Sequence, residues 1–275
     1  MTLSLAYSPC PNDTFIFDAL VHHKINTKGL KFEVTYLDVQ QLNVAAENQT
    51  FDISKLSYYA SAQLLDKYQI LRSGGALGFG CGPLLISKNK IEIAELSLKK
   101  IAIPGKNTTA YFLLQYAFPQ LYHVEEMLFS DIEEAVLSGK VDAGLIIHEN
   151  RFTYGGKGLQ KILDLGELWE EKTNNPIPLG CIGVRRDMDD ELKILVQNLI
   201  RESVEYAWKN PQESKEYIKK HAQELADQVI QSHIDLYVNQ YSADLGEDGK
   251  KAVEHMFSTI KILPEKMTSS YIFVD

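Results

Sequence analysis

The sequence predicts a two-lobed α/β protein with a helical C-terminal tail, and three observations lead there. Strand-like and helix-like stretches alternate through most of the chain, the pattern of mostly parallel sheets covered by helices. The 275 residues exceed the usual size of one domain and can bury two cores. After Asp187 the alternation stops and long amphipathic helices replace it.

The chain opens with a strand, Leu3 to Tyr7, running into SPCPNDTF. There Pro9 and Pro11 stiffen the loop, and Asn12 or Asp13 can cap a helix from Thr14 to His23. Phe15, Ile16, Ala19 and Leu20 give this helix its apolar face. Lys31 to Leu37 alternates, Phe32, Val34 and Tyr36 against Glu33 and Thr35, as a half-buried strand does, and Val39 to Asn48 reads as a helix. Phe51, Ile53 and Leu56 mark a short strand leading to a helix with a polar start at Ser57, and Tyr68 to Arg72 is a further strand. The next turn, RSGGALGFGCGP, has five glycines between Gly74 and Gly82. A phosphate cradle needs a helix opened by Lys and Ser or Thr, whereas a strand, Pro83 to Ser87, follows here. The glycines therefore suit a loop where backbone passes close to a ligand or to another lobe.

From Ile91 a second α/β unit begins. Helix Ile91 to Leu96, strand Lys100 to Ile103, helix Thr108 to Phe118, strand Val124 to Phe129, helix Asp131 to Leu137 and a strand from Val141 into His148 follow in turn. A helix over Leu165 to Lys172 and a strand over Leu179 to Arg185 bring the chain back, so two crossings would form a hinge. Lobe 1 is then 1–90 with 180–275, and lobe 2 is 91–179. In the tail, Leu192, Leu195, Leu199, Val204 and Trp208 fall near helical spacing, Pro211 opens the next helix, and Leu225, Val229, Ile234 and Tyr237 mark a third. A fourth begins after Gly249, and the final YIFVD adds a strand or covers the surface.

Acidic residues outnumber basic ones by 37 to 28, a net charge of -9, which argues against nucleic acid or anionic membrane as partner. The three cysteines, Cys10, Cys81 and Cys181, are widely spaced without a CxxC pair, so neither a disulfide framework nor a thiolate zinc site is indicated. The N-terminus lacks the basic region of a signal peptide, and no stretch approaches 18 uninterrupted apolar residues. The expectation is a soluble, cytoplasmic protein that meets a small molecule.

VDAGLIIHENRF, 141–152, is the stretch with the clearest chemical content. Val141, Leu145, Ile146 and Ile147 read as a strand covered on both faces of a parallel sheet, and His148 is the first polar side chain beyond it. Ligands of open α/β sheets sit outside the carboxyl ends of strands, and imidazole titrates near neutrality, so His148 is placed to move a proton. A strand-end histidine bonded to its own loop would read the same way. Glu149 is either its orienting partner or an exposed loop charge.

Three further loops compete for the site. Cys10, Asn12, Asp13 and Thr14 lie where the first strand opens into its helix, a place that lowers a thiol pKa; a capping turn with an inert cysteine fits equally. Lys55, Leu56 and Ser57 precede another helix. Thr108, Thr109 and Ala110 open a helix after Pro104-Gly105, where N–H groups can receive a carboxylate or simply be capped. The adjacent His22 and His23 point about 100° apart on a helix and have no further ligand cluster in the sequence, so no metal is assigned.

SPCPNDTFIF, KLSYYA, RSGGALG, PGKNTTAYFLLQ, AGLIIHENRFTY and the late VNQYSADLGEDG together resemble the 1,4-dihydroxy-6-naphthoate synthase family of menaquinone biosynthesis, the futalosine pathway. The likeness spans most of the chain. It implies a two-lobed, type II periplasmic-binding-protein-like fold with two crossover strands. It further implies a carbon-carbon lyase that converts cyclic dehypoxanthinyl futalosine, a carboxylate, to 1,4-dihydroxy-6-naphthoate without metal or organic cofactor. In that family the histidine matching His148 is the proposed base, and segments matching Lys55 to Ser57 and Thr109 to Ala110 contact substrate. A chorismate dehydratase-like sister enzyme and a non-catalytic solute-binding protein of the same fold are the alternatives, with a cysteine hydrolase built on Cys10 a distant third.

Overall fold

The computed structural model describes residues 1–222, 226–260 and 268–275. Eleven strands among them form two sheets. The first contains β1 (Thr2–Tyr7), β2 (Lys31–Tyr36), β3 (Ile53–Ser57), β4 (Tyr68–Ile70) and β5 (Ala76–Gly78), joined by β11 (Ile177–Arg185). The second contains β6 (Leu84–Ser87), β7 (Ile101–Ile103), β8 (Val124–Glu126), β9 (Ala143–Ile146) and β10 (Gln160–Asp164). Their orders are β2-β1-β3-β11-β4, with β5 also on β11, and β10-β6-β9-β7-β8. The chain thus leaves the first sheet after Gly78 and returns at Ile177. Leu84–Ser87 belongs with the second sheet and the start of β11 with the first, so the sheets divide at these crossings rather than at 90 and 179.

Both sheets are mixed. The β1, β2 and β3 pairings are parallel, but β11 runs antiparallel to β3, β4 and β5. Likewise β9 is parallel to β7 and antiparallel to β6, which corrects the wholly parallel surroundings expected for it. Burial is nonetheless complete over Ala143–Ile146: Ile132 and Val136 of the helix Ile132–Leu137 lie over Gly144 and cluster with Ile146, and Ala143 and Leu145 cluster with Leu113, Leu114 and Leu165 from the helices Thr109–Ala117 and Leu165–Thr173.

The first helix, Pro11–Val21, starts earlier than the sequence suggests. Pro11 takes its first position with a preset φ, and Cys10, in extended backbone, is the N-cap residue. Asn12 and Asp13 are therefore inside the first turn and do not cap it. Pro11 through Leu20 are all buried, since this helix lies between the first sheet and the tail helix Asp190–Lys209, packing Ile16 and Phe17 with Leu5, Ile53, Ile182 and Leu199. Ser203 ties the two helices by donating to the Ile16 carbonyl at 2.6 Å.

The remaining differences have local causes. Gln160–Asp164 is an edge strand with a bulge and two exposed residues, so no apolar run announces it. The glycine-rich turn hides the short β5, whose three residues are too few for a periodic signal. Pro211 lies in a turn ahead of the helix Lys215–His221, and the last long helix, Gly246–Thr259, already contains Gly249 in its first turn. The third tail helix is Asp227–Tyr237; Leu225, expected on it, lies outside the described residues. At the terminus Phe273 bridges in parallel to Ile70.

A polar contact also joins the two sheets' loops. In the helix Val39–Glu47, opened by an Asp38 capping box, Asn43 donates to the Asn107 carbonyl at 2.9 Å, and Gln40 accepts from the Asn107 N–H at 3.2 Å. Gly105, at φ +141, makes this approach possible, because a Cβ there would lie 2.2 Å from Gln40 Oε1. No helix among the described residues is long and apolar enough to cross a membrane.

Candidate active site

Between the two sheets lies a cavity of about 90 Å³, room for several waters or part of a small organic molecule. The carboxyl ends of β1 and β3, the end of β9 and the start of the helix Thr109–Ala117 all open onto it. Its wall includes Asn12, Asp13, Lys55, Leu56, Ser57, Thr108, Thr109, Ala110 and His148, which brings nine of the ten candidate side chains from four separate loops to one place. Thr14 is the exception. Its hydroxyl donates to the Cys10 carbonyl at 3.0 Å and its side chain is fully buried in its own helix turn.

His148 follows β9 by two residues and holds a left-handed φ of 58, a conformation that non-glycine residues rarely adopt and that recurs at functional sites. The Phe129 ring packs edge-on against the imidazole at 5.1 Å. Burial lowers its pKa from 6.5 to about 4, with the Asp13 carboxylate pulling it up and the Lys55 ammonium pushing it down. At neutral pH the ring is therefore uncharged and can accept a proton.

A buried polar chain surrounds this ring. Lys55 Nζ lies 2.8 Å from Asp13 Oδ1 and donates to the Gly74 carbonyl at 3.1 Å. Ser8 donates to Asp13 Oδ2 at 2.7 Å, and the Asn12 amide donates to Asp13 Oδ1 at 3.0 Å. Gly180 leaves space for the Lys55 stem, since a Cβ would stand 3.2 Å from its Cε. Ser57 is held from behind by Asn43, which accepts from its N–H at 2.9 Å.

Both threonine hydroxyls at the opposite helix start have partners within the protein. Thr108 donates to the Gly105 carbonyl at 2.7 Å and caps the Tyr111 N–H at 3.2 Å. Thr109 donates to the Leu179 carbonyl at 2.9 Å and accepts from the Tyr59 N–H at 3.3 Å. What this end offers an anion is the first-turn N–H of Thr109 and Ala110, which have no intrahelical acceptor, with the helix dipole behind them. Thr109→Val should then cost about 1–3 kcal/mol of stability by orphaning the Leu179 and Tyr59 backbone groups, and should leave KM for an anionic substrate within about threefold. Denaturant melts and steady-state kinetics on the variant check both parts; a large KM rise with unchanged stability would assign the hydroxyl to the ligand.

Comparison with known proteins gives this cavity a family. The family described as menaquinone biosynthesis matches residues 3–261. The chain belongs to that family. It is 46% identical over 256 residues to the 1,4-dihydroxy-6-naphtoate synthase of Thermus thermophilus, covering 93% of each chain. To the enzyme of the same name from Streptomyces coelicolor it is 42% identical over 262 residues, covering 94% of this chain and 92% of the other. A solved structure from Archaeoglobus fulgidus superposes with a TM-score of 0.89 at 36% identity, over 94% of this chain and 97% of that one. The periplasmic aliphatic sulphonate binding protein of Escherichia coli gives 0.62 at 15% identity, over 99% and 91%, and so shares the fold. The periplasmic-binding-protein-like fold with two crossings is thereby established for this menaquinone-biosynthesis family member.

Several site residues of the family member were missed in its sequence. Ser8, Tyr237, Leu179 and Gly180 line the cavity, and His233 lies directly behind His148, their rings stacked at 6.1 Å and 13°. His233 and Asn43 share a signal that was available, a polar side chain on the buried stripe of an amphipathic helix. Glu149, left open between two roles, is 3% exposed and so is not a surface loop charge. Cys10 is buried beside it; desolvation, then the Glu149 charge, pushes the thiol well above its usual pKa, so it is no thiolate nucleophile. Cys10, His148 and Glu149 are also the one group among the described residues able to hold a metal, their ligand atoms lying within 4.8 Å of one another. His22 is instead paired with Asp18 at 2.7 Å.

Proposed function

We propose that this protein converts cyclic dehypoxanthinyl futalosine to 1,4-dihydroxy-6-naphthoate by cleaving a carbon-carbon bond, with His148 as general base. The observation that favours this most is an uncharged imidazole in a cavity that also presents a helix N-terminus and a lysine–carboxylate pair. Abstraction of a proton from a carbon acid needs the first, and developing oxyanion charge needs donors such as the others. Aromatisation of the product makes the fragmentation downhill, so the reading calls on no metal or organic cofactor. The substrate carboxylate goes to the Thr109 and Ala110 N–H groups, and movement about the two crossings closes the cavity over it.

Incubation of the purified protein with cyclic dehypoxanthinyl futalosine, followed by mass spectrometry, tests the reaction. The expected result is 1,4-dihydroxy-6-naphthoate without added cofactor. Substrate recovered intact would favour a solute-binding role, and turnover of chorismate instead would favour the sister dehydratase.

The pH dependence has a definite sign. A base must be uncharged, so kcat/KM should stay level from neutrality downward on the His148 side and fall about tenfold per unit only below about 4. Stability moves earlier. Because His148 stays neutral in the fold while the unfolded ring binds a proton near 6.5, its contribution is present above 6.5 and is lost as pH falls toward about 4. A rate profile with its acid limb at 6.5, measured where the protein remains folded, would remove His148 as a low-pKa base.

A further inference from the structure

Cys10, His148 and Glu149 meet from two sides of the cavity. Cys10 ends the loop between β1 and the helix Pro11–Val21, on the first sheet, and the other two follow β9, on the second. One ligand atom of each, the thiol sulfur, an imidazole nitrogen and a carboxylate oxygen, lies within 4.8 Å of the other two. Around a tetrahedral zinc such atoms stand about 3.5 Å apart, given bonds of about 2.0–2.3 Å, so a contraction of about 1 Å completes the set. Of the three only His148 lines the cavity, and an ion reaches them from there.

The chemistry of the donors selects the ion. One sulfur, one nitrogen and one oxygen suit a borderline cation such as zinc(II), whereas magnesium and calcium demand about six or more oxygens. Coordination strips the thiol of its proton, which passes to solvent, so thiolate and carboxylate together match the two charges of the ion while the imidazole stays neutral. The assembly is then neutral in sum, as a site with Cys10 and Glu149 only 2% and 3% exposed requires. Asp13 and Lys55, the other charges that act on both Cys10 and His148, are paired with each other at 2.8 Å and cancel.

We propose that Cys10, His148 and Glu149 bind zinc(II), which acts as a reversible inhibitor and clasps the two sheets together. The effect on turnover rests on the reading of His148 as the base. A neutral imidazole has a single nitrogen lone pair, and whichever nitrogen gives it to the ion, the other carries the hydrogen. No basic site is left on the ring. Because the ligands come from both sheets, the bound ion also opposes any parting of the lobes about the crossings.

Cobalt(II) and zinc(II) added to the metal-free protein test the site without substrate. Stoichiometric cobalt should give a near-ultraviolet thiolate charge-transfer band with the visible bands of a tetrahedral ion, and zinc should abolish both by displacement and raise the melting temperature. Cys10→Ser, which keeps a capping side chain, and Cys10→Ala should each lose the band and the zinc-dependent rise in melting temperature. No band with cobalt in large excess, or a band that persists in both variants, overturns the proposal. In kinetics, zinc should lower the kcat of the parent about tenfold or more, the least that loss of a general base costs, and a chelator should restore it. The rate of the two Cys10 variants should not respond to zinc; inhibition that persists in both places the ion elsewhere and overturns the proposal. A cobalt band with parental turnover unchanged by zinc would support the site and overturn the reading of His148 as base, so the two failures are told apart.

Discussion

His148→Asn should fold as the parent does and lose on the order of 10² to 10⁴ in kcat, the usual contribution of a positioned general base. Asparagine is the informative replacement, because the φ of 58 at this position suits Asn far better than Ala and so separates chemistry from backbone strain. His148→Ala should show the same kinetic loss with an added cost of about 1 kcal/mol in stability. Substrate should still bind to either variant, since the Thr109 helix start and the Lys55 region are untouched. The result is read from single-turnover rates against a binding isotherm. Near-parental kcat in His148→Asn would send the search for the base to another wall of the cavity.

Much of this arrangement was legible in the chain. The strand just before His148 announces itself by the apolar run from Ala143 to Ile147, and the proline and glycine loops mark where helices open. What sequence could not show was closure of those loops on one another, because the pairing that achieves it, β11 with β3, β4 and β5, joins residues 99 or more positions apart. Asn12 and Asp13 illustrate the limit. Their position before an apolar helix gives the pattern of a cap, yet Pro11 moves the helix start upstream and frees both side chains for Lys55 and His233. The Thr108 and Thr109 hydroxyls illustrate it in reverse, since a helix start reads as open to a ligand until the backbone carbonyls that occupy it are known. Polar residues on a buried stripe, such as His233, are visible but ambiguous until their partners from other elements are placed.

Lys55→Met should have the largest effect on stability. Its ammonium and the Asp13 carboxylate are both nearly out of solvent, with side chains 8% and 2% exposed. Removal of one partner leaves the other charge buried and alone, a loss of about 3–5 kcal/mol, or roughly 10 °C in melting temperature for a chain of this length. The site should respond in a way that mere destabilisation does not explain. Lys55 holds the His148 pKa down and Asp13 holds it up, so Lys55→Met should move the acid limb of kcat/KM to higher pH and Asp13→Asn should move it lower. The double variant, Lys55→Met with Asp13→Asn, carries no orphaned charge and should recover much of the lost stability without recovering turnover, because the cavity then lacks its cation. Calorimetry and pH–rate profiles on the three proteins separate these effects. An acid limb that stays in place in both single variants would show that the pair supports the loop and does not tune the histidine.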